Sequence, residues 1–230
     1  MTTADDRAVA RQAAAMLLCY PDEACLGRLG LVRRAVAGLP EAAGRPLERF
    51  CEHAAAAPGL ELAAHYVRTF DLKRRRALHM TYYTDGDTRR RGHALARVKE
   101  IYRGCGWLLD GAELPDHLAV VLEFAARGDR GWGERLLVSF QPGIELLRGA
   151  LHECGTPYAD VLDAVAATLP APSEETRRRA LRLAEAGPPT EGVGLEPYGG
   201  TAAPGDDGAV APGGRGAVAL GMPSRTGGPR

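Results

Sequence analysis

The run ELPDH places an acid, a proline, a second acid and an imidazole within five residues: Glu113, Pro115, Asp116 and His117. Proline suits the first position of a helix, and a carboxylate in the first turn is stabilised by the helix dipole. Asp116 is therefore expected in that turn. His117 beside it is expected to stay neutral, offering one hydrogen-bond donor and one acceptor. As local structure the run is a helix start. As a site it is a polar anchor at the mouth of an apolar groove, suited to a backbone or a basic peptide. Catalysis through Asp116 and His117 would need a nucleophile or a metal set, and neither accompanies them.

The second group lies in FDLKRRRALHMTYYTDGDTRRRG, residues 70–92. Residues 68–103 hold eleven Lys and Arg against four Asp and Glu, in a chain whose formal net charge is zero. Arg89, Arg90 and Arg91 open a helix, where the dipole disfavours cations. Asp85 and Asp87 offset this, and Asp87 to Arg91 is an i, i+4 pair with the acid first, the favoured order. Arg91 also lies four residues before Leu95, on the apolar stripe, so it must overhang the bundle end or meet a carboxylate. These arginines read as an ion-pair network or as an anion contact. A nucleic-acid-binding regulator using them is the alternative function, and the neutral total and the interspersed acids weigh against it.

Other chemistry is excluded more simply. The three serines, Ser139, Ser173 and Ser224, lie outside any G-x-S-x-G, and neither G-x-x-x-x-G-K-[ST] nor H-E-x-x-H occurs. Five cysteines, with no C-x-x-C pair, fit a reducing compartment, and no metal site is expected. The opening residues are acidic rather than signal-like, and the apolar runs are too short to cross a bilayer. A soluble cytoplasmic protein that is not an enzyme is the expectation.

The elements that must position these residues are helices. Ala, Leu and Arg are abundant, and no segment shows period-two alternation. Helices are expected over residues 7–20, 22–39, a stretch after Pro46, a stretch through Leu62, Tyr66 and Phe70, one starting at Asp87 or Thr88, one starting at Pro115, then 132–153, 158–169 and 174–186. Pro142-Gly143 is expected to kink or break the helix that contains it. TYYTDGDT reads as a connection. The fold class is all-α: one helical-bundle domain of about eight or nine helices over residues 1–186. Residues 187–230 contain thirteen Gly and seven Pro, so a mostly disordered tail is expected, with a candidate docking segment at 188–199.

The stretch YVRTFDLKRRRALHMTYYTDGDTRRRGHALARVKEIYRGCGWLLDGAELPDHLAVVLEFAA, residues 66–126, resembles the cytoplasmic assembly chaperones of respiratory nitrate reductase, the NarJ-type or delta-subunit family. Residues 188–199, PPTEGVGLEPYG, resemble that family's C-terminal segment. Glu113, Pro115, Asp116 and His117 match the acid, proline, Asp-His signature of the wider group of helical molybdoenzyme chaperones. The resemblance implies a non-catalytic protein that binds the N-terminal segment of the apo catalytic (alpha) subunit. It implies a role in inserting molybdenum bis-guanine-dinucleotide into that client before membrane docking, with no cofactor tightly bound. The client-binding residues are then expected to be Glu113, Pro115, Asp116 and His117, with Tyr82 and Tyr83 bordering the groove. Direct contact of the arginines with the cofactor's pyrophosphate stays open.

Overall fold

A computed structural model describes residues 3–109, 111 and 113–187. Ten α-helices occur among them: α1 (Ala4–Leu17), α2 (Glu23–Val36), α3 (Glu41–Ala56), α4 (Gly59–Tyr66), α5 (Met80–Asp85), α6 (Arg89–Gly104), α7 (Leu118–Arg127), α8 (Arg130–Glu153), α9 (Tyr158–Ala167) and α10 (Glu174–Ala186). The expected tail and its segment 188–199 lie outside the described residues.

Side-chain caps fix several helix starts. Thr3 and Asp6 form a reciprocal capping box on α1, and Asp22, Asp129 and Ser173 each accept a backbone N–H from the first turn of α2, α8 and α10. The sequence LAVVLEFAA has few polar positions, and α7 accordingly sits centrally, with α1 along one side and α8 along another. α3 packs on α9, and α10 lies on α8. Leu47, Phe50, Leu122, Phe124, Leu137, Ile144, Leu147 and Leu162 are almost wholly removed from water. Each such side chain contributes roughly 1.5–3 kcal/mol of transfer free energy. Gly133 lets α8 approach α7: a Cβ there would lie 2.4 Å from the Cα of Ala125.

Four local readings differ from the structure. α3 begins at Glu41 and carries Pro46 as its sixth residue, because Pro40 already supplies the break. α8 runs unbroken through Pro142, whose flanks are buried on both sides. TYYTD is a helix, α5, closed by Gly86 at φ 58°. Six residues make a marginal helix alone, and α5 holds through burial of Met80, Thr81, Tyr82 and Tyr83. Lastly, α7 begins at Leu118, so Pro115 and Asp116 precede the helix and His117 is its N-cap residue.

Candidate functional site

The site is built where three chain segments meet. α4 leads into a π-helical turn, Val67–Asp71, closed by the Leu72 N–H on the Val67 carbonyl at 3.2 Å. A π turn carries one more residue than an α turn, and here Thr69 and Phe70 both point inward. A 3₁₀ turn, Arg74–Arg76, follows. The chain then extends through Leu78 and His79 and pairs with the segment before α7. The Met80 N–H donates to the Asp116 carbonyl at 3.0 Å and the Leu118 N–H to the Leu78 carbonyl at 2.8 Å, with His79 opposite His117. From α6, the Tyr102 hydroxyl donates to the Pro115 carbonyl at 2.8 Å. The starts of α5 and α7 are thereby fixed side by side.

Asp116 is fully buried beneath this joint. Its carboxylate accepts the Thr81 N–H at 3.0 Å and the Thr81 hydroxyl at 2.5 Å. Its other oxygen lies 3.4 Å from His79 Nδ1, within ion-pair range but without hydrogen-bond geometry. Burial pushes the Asp116 pKa up, yet His79 and Thr81 outweigh it and hold the group below the usual carboxylate value. His117 is also buried, and its Nδ1 has no hydrogen-bond partner among the described residues. Its ring stands 5.3 Å from that of His79, edge to face. Burial first, and the His79 charge second, push the His117 pKa down to about 4, while Asp116 opposes them. The imidazole is therefore neutral at neutral pH, as its position suggested, although burial supplies most of the cause.

Above the joint opens a cleft of about 510 Å³. Tyr20, Tyr66 and Phe70 form an aromatic side of it, with Tyr66 and Phe70 rings 4.9 Å apart and Tyr20 set edge-on to Tyr66 at 5.6 Å. The Tyr66 hydroxyl is tied to the Leu18 carbonyl at 3.1 Å. Leu78, His79, Tyr82 and His117 line it from the α5–α7 joint. Charged side chains complete the lining: Asp71, Arg74, Asp87, Arg91 and Glu113.

These charges are not equivalent. Asp87 lies 3.3 Å from Arg91 and 3.7 Å from Arg74, so one carboxylate joins the two arginine runs. Arg91 also donates from Nε to the Thr81 hydroxyl at 3.3 Å and stands over the Tyr82 ring at 5.9 Å. It thus meets a carboxylate at the bundle edge. Asp71 and Glu113, in contrast, form no ion pair among the described residues. Two uncompensated carboxylates beside aromatic faces suit a cation flanked by apolar groups.

Of the residues singled out by sequence, Tyr82, Arg91, Glu113 and His117 line the cleft. Pro115 and Asp116 lie buried under it. Tyr83 turns the other way: its hydroxyl donates to the Arg75 and Ala77 carbonyls at 3.2 and 3.0 Å, and its ring packs on Gly143. Arg89 and Arg90 are exposed at the start of α6, outside the cleft lining. Tyr20, Asp71, Arg74, His79 and Thr81 were not singled out. Phe70-Asp71 at the end of an apolar stripe was the one available signal, an aromatic and an acid sharing a helix terminus. Among the described residues no group of three His, Cys, Asp or Glu could hold a metal ion, and no helix is long and apolar enough to cross a membrane.

The model of the nitrate reductase delta subunit family matches residues 36–164, a span that carries every cleft residue except Tyr20. The chain is 39% identical over 157 residues to the nitrate reductase-like protein NarX of Mycobacterium tuberculosis, covering 68% of this chain and 24% of NarX, so it spans about a quarter of that relative's length. It is 30% identical over 165 residues to a Bacillus subtilis protein assigned as nitrate reductase molybdenum cofactor assembly chaperone NarJ, covering 71% of this chain and 90% of that one. The Escherichia coli K12 chaperone of the same description is 29% identical over 150 residues, 64% of each chain. A crystal structure from Archaeoglobus fulgidus assigned as a redox enzyme maturation protein shares the fold, with a TM-score of 0.54 at 21% identity over 69% of this chain and 90% of that one.

Proposed function

The chain belongs to the nitrate reductase delta subunit family, and from that premise we propose that it is an assembly chaperone for the catalytic subunit of a respiratory nitrate reductase. In this reading it binds the N-terminal segment of the apo subunit in the cytoplasm. It keeps that client open while molybdenum bis-guanine-dinucleotide is inserted, and it delays membrane docking until loading is complete. The cofactor is the client's cargo, and the chaperone itself carries out no reaction.

One observation carries this reading: the 510 Å³ cleft combines an aromatic side with two carboxylates, Asp71 and Glu113, that form no ion pair among the described residues. An amphipathic helix fits such a surface, its apolar side chains against Tyr20, Tyr66 and Phe70 and a Lys or Arg between the two acids. Tyr82 and His117 then set register from the α5–α7 joint, with His117 neutral and able to accept or donate once. A chaperone must release its client, so affinity on the order of micromolar to tens of nanomolar is expected, about −8 to −11 kcal/mol.

The test is a calorimetric titration with a peptide from the start of the catalytic subunit, paired with reductase activity in a deletion strain. Saturable binding and loss of activity are expected. No binding, together with normal activity, would overturn the proposal.

A further inference from the structure

Arg74 lines the cleft, and it also lines a second concavity of about 440 Å³ on the other side of the same turn. Lys73, Arg74, Arg75 and Arg76 form one wall there, and Ala150, Glu153 and Cys154 at the end of α8 form the other. A single cation would complement the negative end of the α8 dipole. Four in succession repel one another and exceed that need. They are nevertheless held in place from behind, because the buried Tyr83 hydroxyl bonds the carbonyls of Arg75 and Ala77. Arg76 donates to the Arg68 carbonyl at 3.3 Å, and the Arg74 side chain is 83% exposed despite its approach to Asp87. Lys73 and Arg75 are exposed and form no ion pair among the described residues.

We propose that this basic turn is a second docking surface, which receives an acidic stretch of the same protein whose segment enters the cleft. The proposal rests on the peptide reading of the cleft. Two features favour a carboxylate-bearing polypeptide over a compact phosphate. Successive residues of a 3₁₀ turn are rotated by a third of a revolution each, so the cations spread apart instead of converging on one anion. Glu153 faces the concavity and would repel a dianion, whereas an extended acidic segment can meet the separated cations one by one and pass beside it. Continuity through Arg74 makes one client the economical occupant of both surfaces. Separating them gives the chaperone a hold on the folded body of the client that persists while the cleft segment exchanges.

The double variant Lys73→Ala, Arg75→Ala tests this, since neither side chain lines the cleft. Binding is measured against two probes: the isolated N-terminal peptide of the catalytic subunit and the whole apo catalytic subunit. The expected result is peptide affinity within about twofold of wild type, and a fall of about tenfold for the whole subunit, mostly in association rate and with a shallower salt dependence. Whole-subunit affinity unchanged by the variant would overturn the proposal. So would an equal loss against both probes, which would place the turn within the cleft's own machinery. Displacement of the whole subunit by millimolar pyrophosphate, but not by a matched concentration of chloride, would overturn it in favour of a small anion. A wild-type chain that binds the whole subunit and not the peptide would instead refute the cleft reading, and the variant would still report on the turn.

Discussion

The Asp116 carboxylate accepts both the N–H and the hydroxyl of Thr81, at 3.0 and 2.5 Å, across 35 residues of sequence. This pair joins the start of α5 to the segment that leads into α7, and the same Thr81 hydroxyl receives Arg91 Nε at 3.3 Å. A buried carboxylate, a helix start and a cleft arginine thus share one side chain.

Asp116→Ala leaves the Thr81 N–H and hydroxyl buried without an acceptor, and should destabilise the domain by about 2–4 kcal/mol. Thr81→Ala should cost less, about 1–2 kcal/mol, since the N–H bond survives. Urea unfolding of both variants and the double variant measures this. Strict additivity would mean that the pair is not coupled.

Asp71→Asn with Glu113→Gln removes the two cleft carboxylates that form no ion pair among the described residues. Both residues are exposed, so stability should stay within about 0.5 kcal/mol. Peptide affinity should weaken by about tenfold, or 1.4 kcal/mol, if a basic side chain sits between them. Calorimetry with the client peptide decides this, and an unchanged affinity would remove these acids from the interface.

His117 binds its proton near pH 4 in the folded chain, against an ordinary 6.5. Between those values the unfolded chain is protonated and the folded chain is not. The stability from burying neutral His117 is therefore complete above about pH 6.5 and declines as pH falls, being lost near pH 4. The full effect is on the order of 3 kcal/mol. His65, also shifted down by burial, adds in the same direction. The contribution of Asp116 has its loss at lower pH, because its pKa is depressed below the usual carboxylate value. Denaturant midpoints from pH 8 to pH 4 should slope less in His117→Asn than in wild type, and parallel curves would count against the assignment.

Gly133→Ala places a methyl group 2.4 Å from the Ala125 Cα, against backbone that cannot rotate away. The variant should lose about 2–3 kcal/mol through separation of α7 and α8. Gly149→Ala, on the same helix with open space around it, should be neutral or slightly stabilising. Thermal melts of the two variants check the contrast.

Short-range features of the site were legible in the sequence. Asp87 and Arg91 do pair four residues apart, and Arg91 does meet a carboxylate at the end of its apolar stripe. The joint beneath the cleft was not legible, because its bonds join Leu78 to Leu118 and Met80 to Asp116. Local rules assigned Asp116 to the first turn of a helix. The backbone pairing displaced that start to Leu118 and turned the carboxylate towards Thr81. Similarly, Asp85-Gly86 signalled a turn correctly, yet the residues before it form α5 because Met80 and Thr81 are buried. Tyr20 entered the cleft only through the packing of its segment on Tyr66, which no periodicity encodes.

The π turn at Val67–Asp71 sets the rotational phase of everything that follows it. One residue adds about 100° to a helix, so removing Val67, Arg68 or Thr69 to restore α-helical spacing would swing Phe70, Asp71 and the arginines together away from their present setting against Tyr66. The aromatic side of the cleft and its charged rim are therefore indexed to each other by residue count. Along this stretch the number of links in the chain is as binding a constraint as their chemical kind, much as a gear train tolerates a worn tooth better than a missing one.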